Sequence, residues 1–134
     1  NMKIPDQLRM DRFFFFFEKF KASGSMPNFM IIFLPQDHAG GAVSARSNVA
    51  DNDLAVGRLV EAVSHSQFWK DTVIFINEDD PQAGTDHVDG HRSICLVVSP
   101  YSRNRGTVSD FFNQTSVLRT INQIFGIRTM NQRD

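Results

Sequence analysis

Residues 29–34 read Phe-Met-Ile-Ile-Phe-Leu, a continuous apolar run that ends at Pro35. An apolar run of this length is typical of a β-strand that is covered on both faces, as in the centre of a parallel sheet. Two further runs have the same character, one over residues 72–77 and one over residues 94–99. The sequence therefore predicts three buried strands. Because a sheet usually has about five or six strands, we expect these to be part of a larger sheet.

Helical patterns alternate with these runs, which favours the α/β class. Three helices are predicted, over residues 6–21, over residues 51–64 and from about residue 110 to residue 125. Each has residues that favour helix starts or ends. The predicted start and end signals are Pro5, Ser23-Gly24, Asp51 or Asn52, Ser109 or Asp110, and Gly126. We expect residues 1–134 to form a single α/β domain.

Composition excludes several classes of protein. The 134 residues are 41% hydrophobic and 22% charged, which is close to globular averages and excludes long disorder. A formal net charge of -1 argues against binding to nucleic acid through bulk charge. No apolar run approaches the roughly 18 residues of a membrane span, and residues 1–5 lack the apolar segment of a signal peptide. The single cysteine, Cys95, is expected to be an inert core residue of its strand.

Five consecutive phenylalanines, Phe13 to Phe17, lie within the first predicted helix. Side chains at five consecutive helical positions point to every side of the helix, so a small core cannot cover them all. Two interpretations remain open. The run is either a contact surface for another domain or subunit, or part of an unusually apolar buried helix.

Acidic and histidine residues are concentrated next to the predicted strands, where parallel sheets bind their ligands. Carboxylates and imidazoles are the ligands of Zn²⁺, and Mn²⁺, Mg²⁺ and Ca²⁺ prefer oxygen. Adjacent carboxylates repel each other, and a cation compensates them. Arg92 either binds a phosphate oxygen or pairs with a nearby aspartate. The alternative is that these are solvated turn residues. The candidates are Asp37, His38, Asp79, Asp80, His87, His91 and Arg92.

Several segments resemble the phosphoesterases of the alkaline phosphatase superfamily, in particular bacterial members that often carry a β-propeller ahead of the catalytic region. Residues 26–38 resemble the segment of that family that contains LPNDH, and residues 49–66 are similar to its following helix. Residues 69–80 resemble its WKDT…EDD strand, and residues 87–93 its DHVDxHRS turn. More distant relatives are phospholipases C and acid phosphatases. The resemblance extends from about Pro5 to the end of the chain.

The resemblance implies an α/β/α sandwich and metal-assisted hydrolysis of a phosphoric ester. By position it implies Asp37, Asp79, Asp80 and His91 as ligands of a divalent metal ion, which is Zn²⁺, Mn²⁺, Mg²⁺ or Ca²⁺. His38 and His87 are then the expected catalytic residues, and Arg92 the expected substrate-binding residue.

The chain departs from the family pattern at two places. It has no equivalent of the ENRTYDQ-like metal-binding segment or of the nucleophile region, and its loop over residues 39–48 is short. We therefore expect the C-terminal half of a catalytic domain, with Phe13–Phe17 contacting the missing half or another subunit. The resemblance favours a periplasmic or extracellular location. The competing hypothesis is a non-catalytic domain that binds a structural cation or a partner.

Overall fold

The structure is a computed structural model that describes residues 3–39, 43–79, 81, 91–102, 106–129 and 131. These residues contain three α-helices, two short β-strands and two single-turn 3-10 helices. The chain divides into two compact units, residues 1–74 and residues 75–134. Helices and strands are both present, as the α/β prediction requires. The sandwich architecture and the third core strand are not confirmed.

The first unit is built from two long helices. Helix α1, Asp6–Ser23, follows Pro5 and ends at Gly24, whose φ of 71° is the left-handed conformation that glycine adopts most readily. Helix α2, Ala45–Ser64, begins earlier than predicted, because the Ser44 side chain accepts a hydrogen bond from the Ser47 amide at 3.2 Å. The predicted cap at Asp51 or Asn52 was therefore wrong, and both residues lie inside α2.

The core of the first unit lies between α1 and α2, which pack against each other. Its buried apolar residues are Met10, Phe17, Ala55, Leu59 and Val63. The two from α1 are seven positions apart and those from α2 are four apart, so each set lies on one face of its helix. Full burial of a large apolar side chain stabilises the fold by roughly 1.5–3 kcal/mol, and this interface is therefore the main source of stability in the unit.

Some rings of the phenylalanine run Phe13–Phe17 are buried in the core, and others are exposed as a contact surface would require. Phe17 is 1% exposed and stacks on Phe13 with ring centroids 5.3 Å apart, while Phe14 also packs against the core. Phe15 and Phe16 point outward, and Phe15 is 51% exposed. Three of the five rings thus serve the core, and two remain on the surface.

Residues 29–34 do not form the predicted strand and are irregular in the structure. From Ile31 to Leu34 their burial nevertheless alternates. Ile32 and Leu34 pack against the core, whereas Phe29, Ile31 and Phe33 are exposed. A strand needs a hydrogen-bonded neighbour, and among the described residues the only paired strands are in the other part of the chain. The apolar pattern is that of a strand, but the pairing is missing here.

The two-stranded sheet has the strands β1, Ile74–Asn77, and β2, Cys95–Val98, and all of it except Ile74 belongs to the second unit. The strands are antiparallel, and the Glu78 amide donates to the Ile94 carbonyl at 3.0 Å where β1 ends and β2 begins. The expectation of a parallel sheet was therefore wrong for this pair. Cys95 was expected in the core and is instead exposed, as are Leu96 and Val97 in the same strand.

Helix α3, Gln114–Ile124, completes the second unit. It starts later than Ser109 or Asp110, because the Asn113 side chain accepts from the Ser116 amide at 3.0 Å and the Ser116 hydroxyl lies 3.2 Å from the Asn113 amide. Gly126 follows it with a φ of 65°, as its predicted stop position requires. None of the helices in the described ranges is long and apolar enough to cross a membrane.

Candidate functional site

Asp37 and His38 lie in a single 3-10 turn, Gln36–His38, in the first unit. The His38 amide donates to the Pro35 carbonyl at 3.3 Å, and the Ala39 amide donates to the Gln36 carbonyl at 3.0 Å. Asp37 is half-buried and His38 is exposed. The turn ends at Ala39, which adopts a left-handed φ of 58° that is unusual for a residue with a side chain. Asp37 and His38 therefore lie in a short turn that is closed by its own backbone hydrogen bonds.

A buried polar cluster lies immediately before this turn. The fully buried Asp6 carboxylate accepts, through Oδ2, from the Gln36 amide at 3.0 Å and from Asn52 Nδ2 at 3.0 Å. Asn52 Nδ2 also donates to the Leu34 carbonyl at 2.8 Å. Arg9 Nε lies 3.3 Å from Asp6 Oδ1, an ion pair that lacks hydrogen-bond alignment. A buried carboxylate is costly unless it is paired and hydrogen-bonded, and these contacts offset that cost.

Asp79 is the second residue after β1, lies in the second unit and is exposed. Its carbonyl accepts from Gln114 Nε2 at 2.9 Å, which links the end of β1 to the first residue of α3. The preceding residue, Glu78, is held through its carbonyl by the Ser93 hydroxyl at 3.0 Å. Backbone contacts on both sides therefore fix the position from which the Asp79 side chain projects.

His91 and Arg92 precede β2 and are also exposed. Because β1 and β2 are antiparallel, the end of β1 and the start of β2 lie at the same end of the sheet. The structure therefore brings the chain around Asp79 close to the chain that leads from Arg92 into β2. The predicted site residues Asp80 and His87 lie outside the described residues.

The predicted site residues fall in both units. Asp37 and His38 belong to the first unit, and Asp79, His91 and Arg92 to the second. Their convergence on one site stays a prediction. Within the described ranges, no three His, Cys, Asp or Glu side chains form a group that could hold a metal ion.

Sequence reasoning missed the residues that support these positions. Asp6 was taken only as a helix start, Asn52 as a possible cap, and Ser93 and Gln114 were not singled out. One signal was available for Asp6 and Asn52, since polar residues beside apolar helix positions are candidates for buried hydrogen bonding. No local pattern predicts the Gln114 contact with Asp79, because it joins residues 35 positions apart.

Comparison with protein-family models gives a match over residues 6–128 to the model described as the Phosphoesterase family. The match covers both candidate segments, the turn with Asp37 and the β1–β2 pair with Asp79. Comparisons with curated proteins and with solved structures gave no match. Because the family model covers most of its length, the chain belongs to the Phosphoesterase family, and this membership supports a hydrolase that acts on phosphoric esters.

Proposed function

We propose that this chain is part of a longer metal-dependent phosphoesterase of the alkaline phosphatase superfamily and supplies part of its catalytic site. The observation that carries the proposal is the family match over residues 6–128, which includes every candidate site residue. A second support is the antiparallel pair, which places the Asp79 end of β1 beside the start of β2.

The proposed metal ligands are Asp37, Asp79, Asp80 and His91. The donor chemistry fits a divalent ion, because carboxylate oxygen and imidazole nitrogen are ligands that Zn²⁺ and Mn²⁺ accept. Both Asp79 and His91 are exposed, so neither is sealed in a core that would exclude an ion. The chemistry supplied by such an ion is polarisation of the phosphoryl oxygens and a lower pKa for the attacking hydroxyl group.

The remaining proposed residues handle the substrate and its protons. Arg92 would bind the phosphoryl oxygens, since its guanidinium group can donate two parallel hydrogen bonds to them. Hydrolysis breaks a P–O ester bond, and the departing alkoxide needs a proton. His38 or His87 is the proposed donor, because histidine is the side chain that most often serves as a general acid in enzymes. His38 is exposed, as contact with a substrate requires.

The proposed partner surface lies on the outer side of α1. Phe15 and Phe16 are exposed there, with the Arg12 guanidinium 4.6 Å from the Phe16 ring centroid and Lys19 Nζ 4.1 Å from that of Phe15. Exposed rings forgo the free energy of burial. We propose that another part of the same catalytic domain, or another subunit, covers this pair in the full-length protein.

The competing function, a non-catalytic domain that binds a structural cation or a partner, draws on a different observation. Much of β2 is exposed, and Ile94, Leu96 and Val97 are each at least half exposed. Apolar strand residues of this kind fit an interface as well as a catalytic domain. The two functions differ in turnover of a phosphoric ester, which only the enzyme shows.

The test uses the full-length protein that contains this chain, whose mass is measured first. The protein is loaded separately with Zn²⁺, Mn²⁺, Mg²⁺ and Ca²⁺ and assayed with an aryl phosphate monoester and diester. Asp79→Asn keeps the shape of the side chain but removes the charge that would hold the ion. We expect it to lower metal content and to reduce kcat/KM by about 100-fold or more.

His65→Ala is the control, because His65 is exposed and its imidazole contacts Glu61 and Ser64 of the adjoining helix α2. We expect it to keep the metal content and activity of the unsubstituted protein. If Asp79→Asn retains full metal content by elemental analysis, Asp79 is not a ligand. If the full-length protein hydrolyses neither ester with any of the four metals, the non-catalytic function replaces the enzyme.

A further inference from the structure

The buried cluster around Asp6 does more than stabilise the first unit. It ties three segments together: the first turn of α1, the second turn of α2, and the backbone on either side of Pro35. Two of its hydrogen bonds reach main-chain groups of the segment that leads into the Asp37–His38 turn. Because the cluster binds the backbone at Leu34 and Gln36, it fixes the position of the first residue of the turn.

The hydrogen bonds leave this segment little freedom. Asn52 donates to the Leu34 carbonyl at 2.8 Å, and Asp6 accepts from the Gln36 amide at 3.0 Å. Pro35, between them, is buried and has no amide hydrogen to pair. Gln36 adds a third tie, since its buried side chain donates to the Ile4 carbonyl at 2.8 Å. The backbone on both sides of Pro35 is therefore held by side chains from elsewhere in the chain.

Asn52 is suited to this role by its chemistry. Its amide nitrogen carries two hydrogens, one for Asp6 Oδ2 and one for the Leu34 carbonyl. An aspartate at this position would offer no hydrogen when ionised and would repel the Asp6 carboxylate. Asp51, next to it, binds the start of α1 instead, with Oδ2 accepting from the Asp6 amide at 2.6 Å. The two neighbours on α2 thus fix Asp6 from two directions.

We propose that Asp6 and Asn52 are positioning residues that set the location of Asp37 and His38. The proposal rests on the function proposed above, in which Asp37 is a metal ligand and His38 a proton donor. Residues behind a ligand or an acid contribute by fixing its orientation, and their loss typically costs about 10–100-fold in metal affinity or activity. Neither Asp6 nor Asn52 needs to touch the substrate to have this effect.

The test compares three variants of the full-length protein. Asn52→Ala removes both donated hydrogen bonds, and Asp6→Asn keeps the volume and one acceptor oxygen. Asp11→Asn is the matched control, because Asp11 is a carboxylate on the exposed side of α1 that pairs with Arg58 at 2.6 Å. Hydrogen exchange by mass spectrometry on peptides spanning residues 34–39 reports on the turn itself. Steady-state kinetics with an aryl phosphate report on how a change in the turn affects the reaction.

We expect Asn52→Ala to speed exchange in residues 34–39 by about tenfold and to lower kcat more than it raises KM, with kcat/KM down about 10–100-fold. Asp6→Asn should have a smaller effect of the same kind, and Asp11→Asn should match the unsubstituted protein in both measurements. A thermal melt of each variant separates positioning from general unfolding, because a variant that merely unfolds loses kcat in proportion to its folded fraction.

Unchanged exchange in residues 34–39 for both Asn52→Ala and Asp6→Asn would overturn the positioning role. Faster exchange with unchanged kcat/KM would overturn it as well, since the turn would then move without effect on the reaction. If the unsubstituted protein has no esterase activity, the proposed function fails separately. In that case inorganic phosphate is the probe, and weaker phosphate binding by Asn52→Ala than by Asp11→Asn supports the positioning role, whereas equal binding overturns it.

Discussion

The two units contain similar apolar patterns but differ in how much of them they bury. In the described residues of the first unit, five apolar side chains from α1 and α2 are buried. In those of the second unit, the one buried residue is Asn122, whereas Leu96, Val97 and Phe111 are exposed. Hydrophobic sequence is therefore not sufficient for a core. Two long helices can bury one face of each other, whereas a two-stranded sheet has two faces and needs cover from further layers.

The same contrast applies to the candidate site. Asp37 and His38 follow a segment held by buried side chains, Asp6 and Gln36 among them. Asp79 is held by Gln114 and the neighbouring Glu78 by Ser93, in contacts that are exposed or half-buried. Hydrogen bonds shielded from water are stronger and hold geometry better than exposed ones. The first unit thus holds its candidate residues on a fixed segment, whereas the rigidity of those in the second unit depends on added cover.

The largest effect on stability is expected from a substitution in the core of the first unit. Phe17→Ala removes a ring that is 1% exposed and stacked on Phe13, so we expect the free energy of unfolding to fall by about 3–5 kcal/mol. Phe15→Ala, on the outer side of the same helix, should cost less than about 1 kcal/mol. The single tryptophan, Trp69, packs against this core, and its fluorescence in a urea titration reports on the unit. Equal losses in the two variants would remove the distinction between the inner and outer rings.

Helix positions could be predicted from sequence because their determinants are local. Pro5 and Gly24 marked α1 correctly, and Gly126 marked the end of α3. The errors were at helix starts, where several residues can cap and only one does. Ser44 caps α2 in place of Asp51 or Asn52, since its side chain accepts a hydrogen bond from the amide three residues on. Asn113 caps α3 in the same way, in place of Ser109 or Asp110.

Strands and the site were harder to predict because their determinants are not local. The apolar run over residues 29–34 has the composition of a strand, but pairing depends on a neighbour that composition does not specify. The parallel arrangement was assumed from the α/β pattern, whereas the observed strand pair is antiparallel. For the same reason, Asp79 could be proposed as a ligand from the sequence, whereas its support by Gln114 could not.

A smaller effect is expected when the side-chain cap of a helix is removed, and it differs between α2 and α3. Ser44→Ala and Asn113→Ala each remove one side-chain cap, at a cost of about 1 kcal/mol. Helix α2 packs against α1 and should keep its helicity, whereas α3 is an 11-residue helix with one buried residue and should fray. We expect far-UV circular dichroism to show less helix in Asn113→Ala than in Ser44→Ala. Equal helicity in the two variants would mean that α3 is held by packing rather than by its cap.

The smallest expected effect is the most informative about β2. Val97 is 52% exposed on β2 and Val63 is 4% exposed in α2, and Val→Thr keeps the branched shape while it replaces a methyl group with a hydroxyl group. We expect Val63→Thr to cost about 1–2 kcal/mol, because a buried hydroxyl needs a hydrogen-bond partner. Val97→Thr should stay within about 0.5 kcal/mol of the unsubstituted chain in a urea titration, since its side chain already contacts water. A loss above about 1 kcal/mol in Val97→Thr would show that β2 is covered in solution, because only a buried position distinguishes the two side chains so strongly. The contrast between the two units would then not hold in solution, because both units would bury their apolar residues.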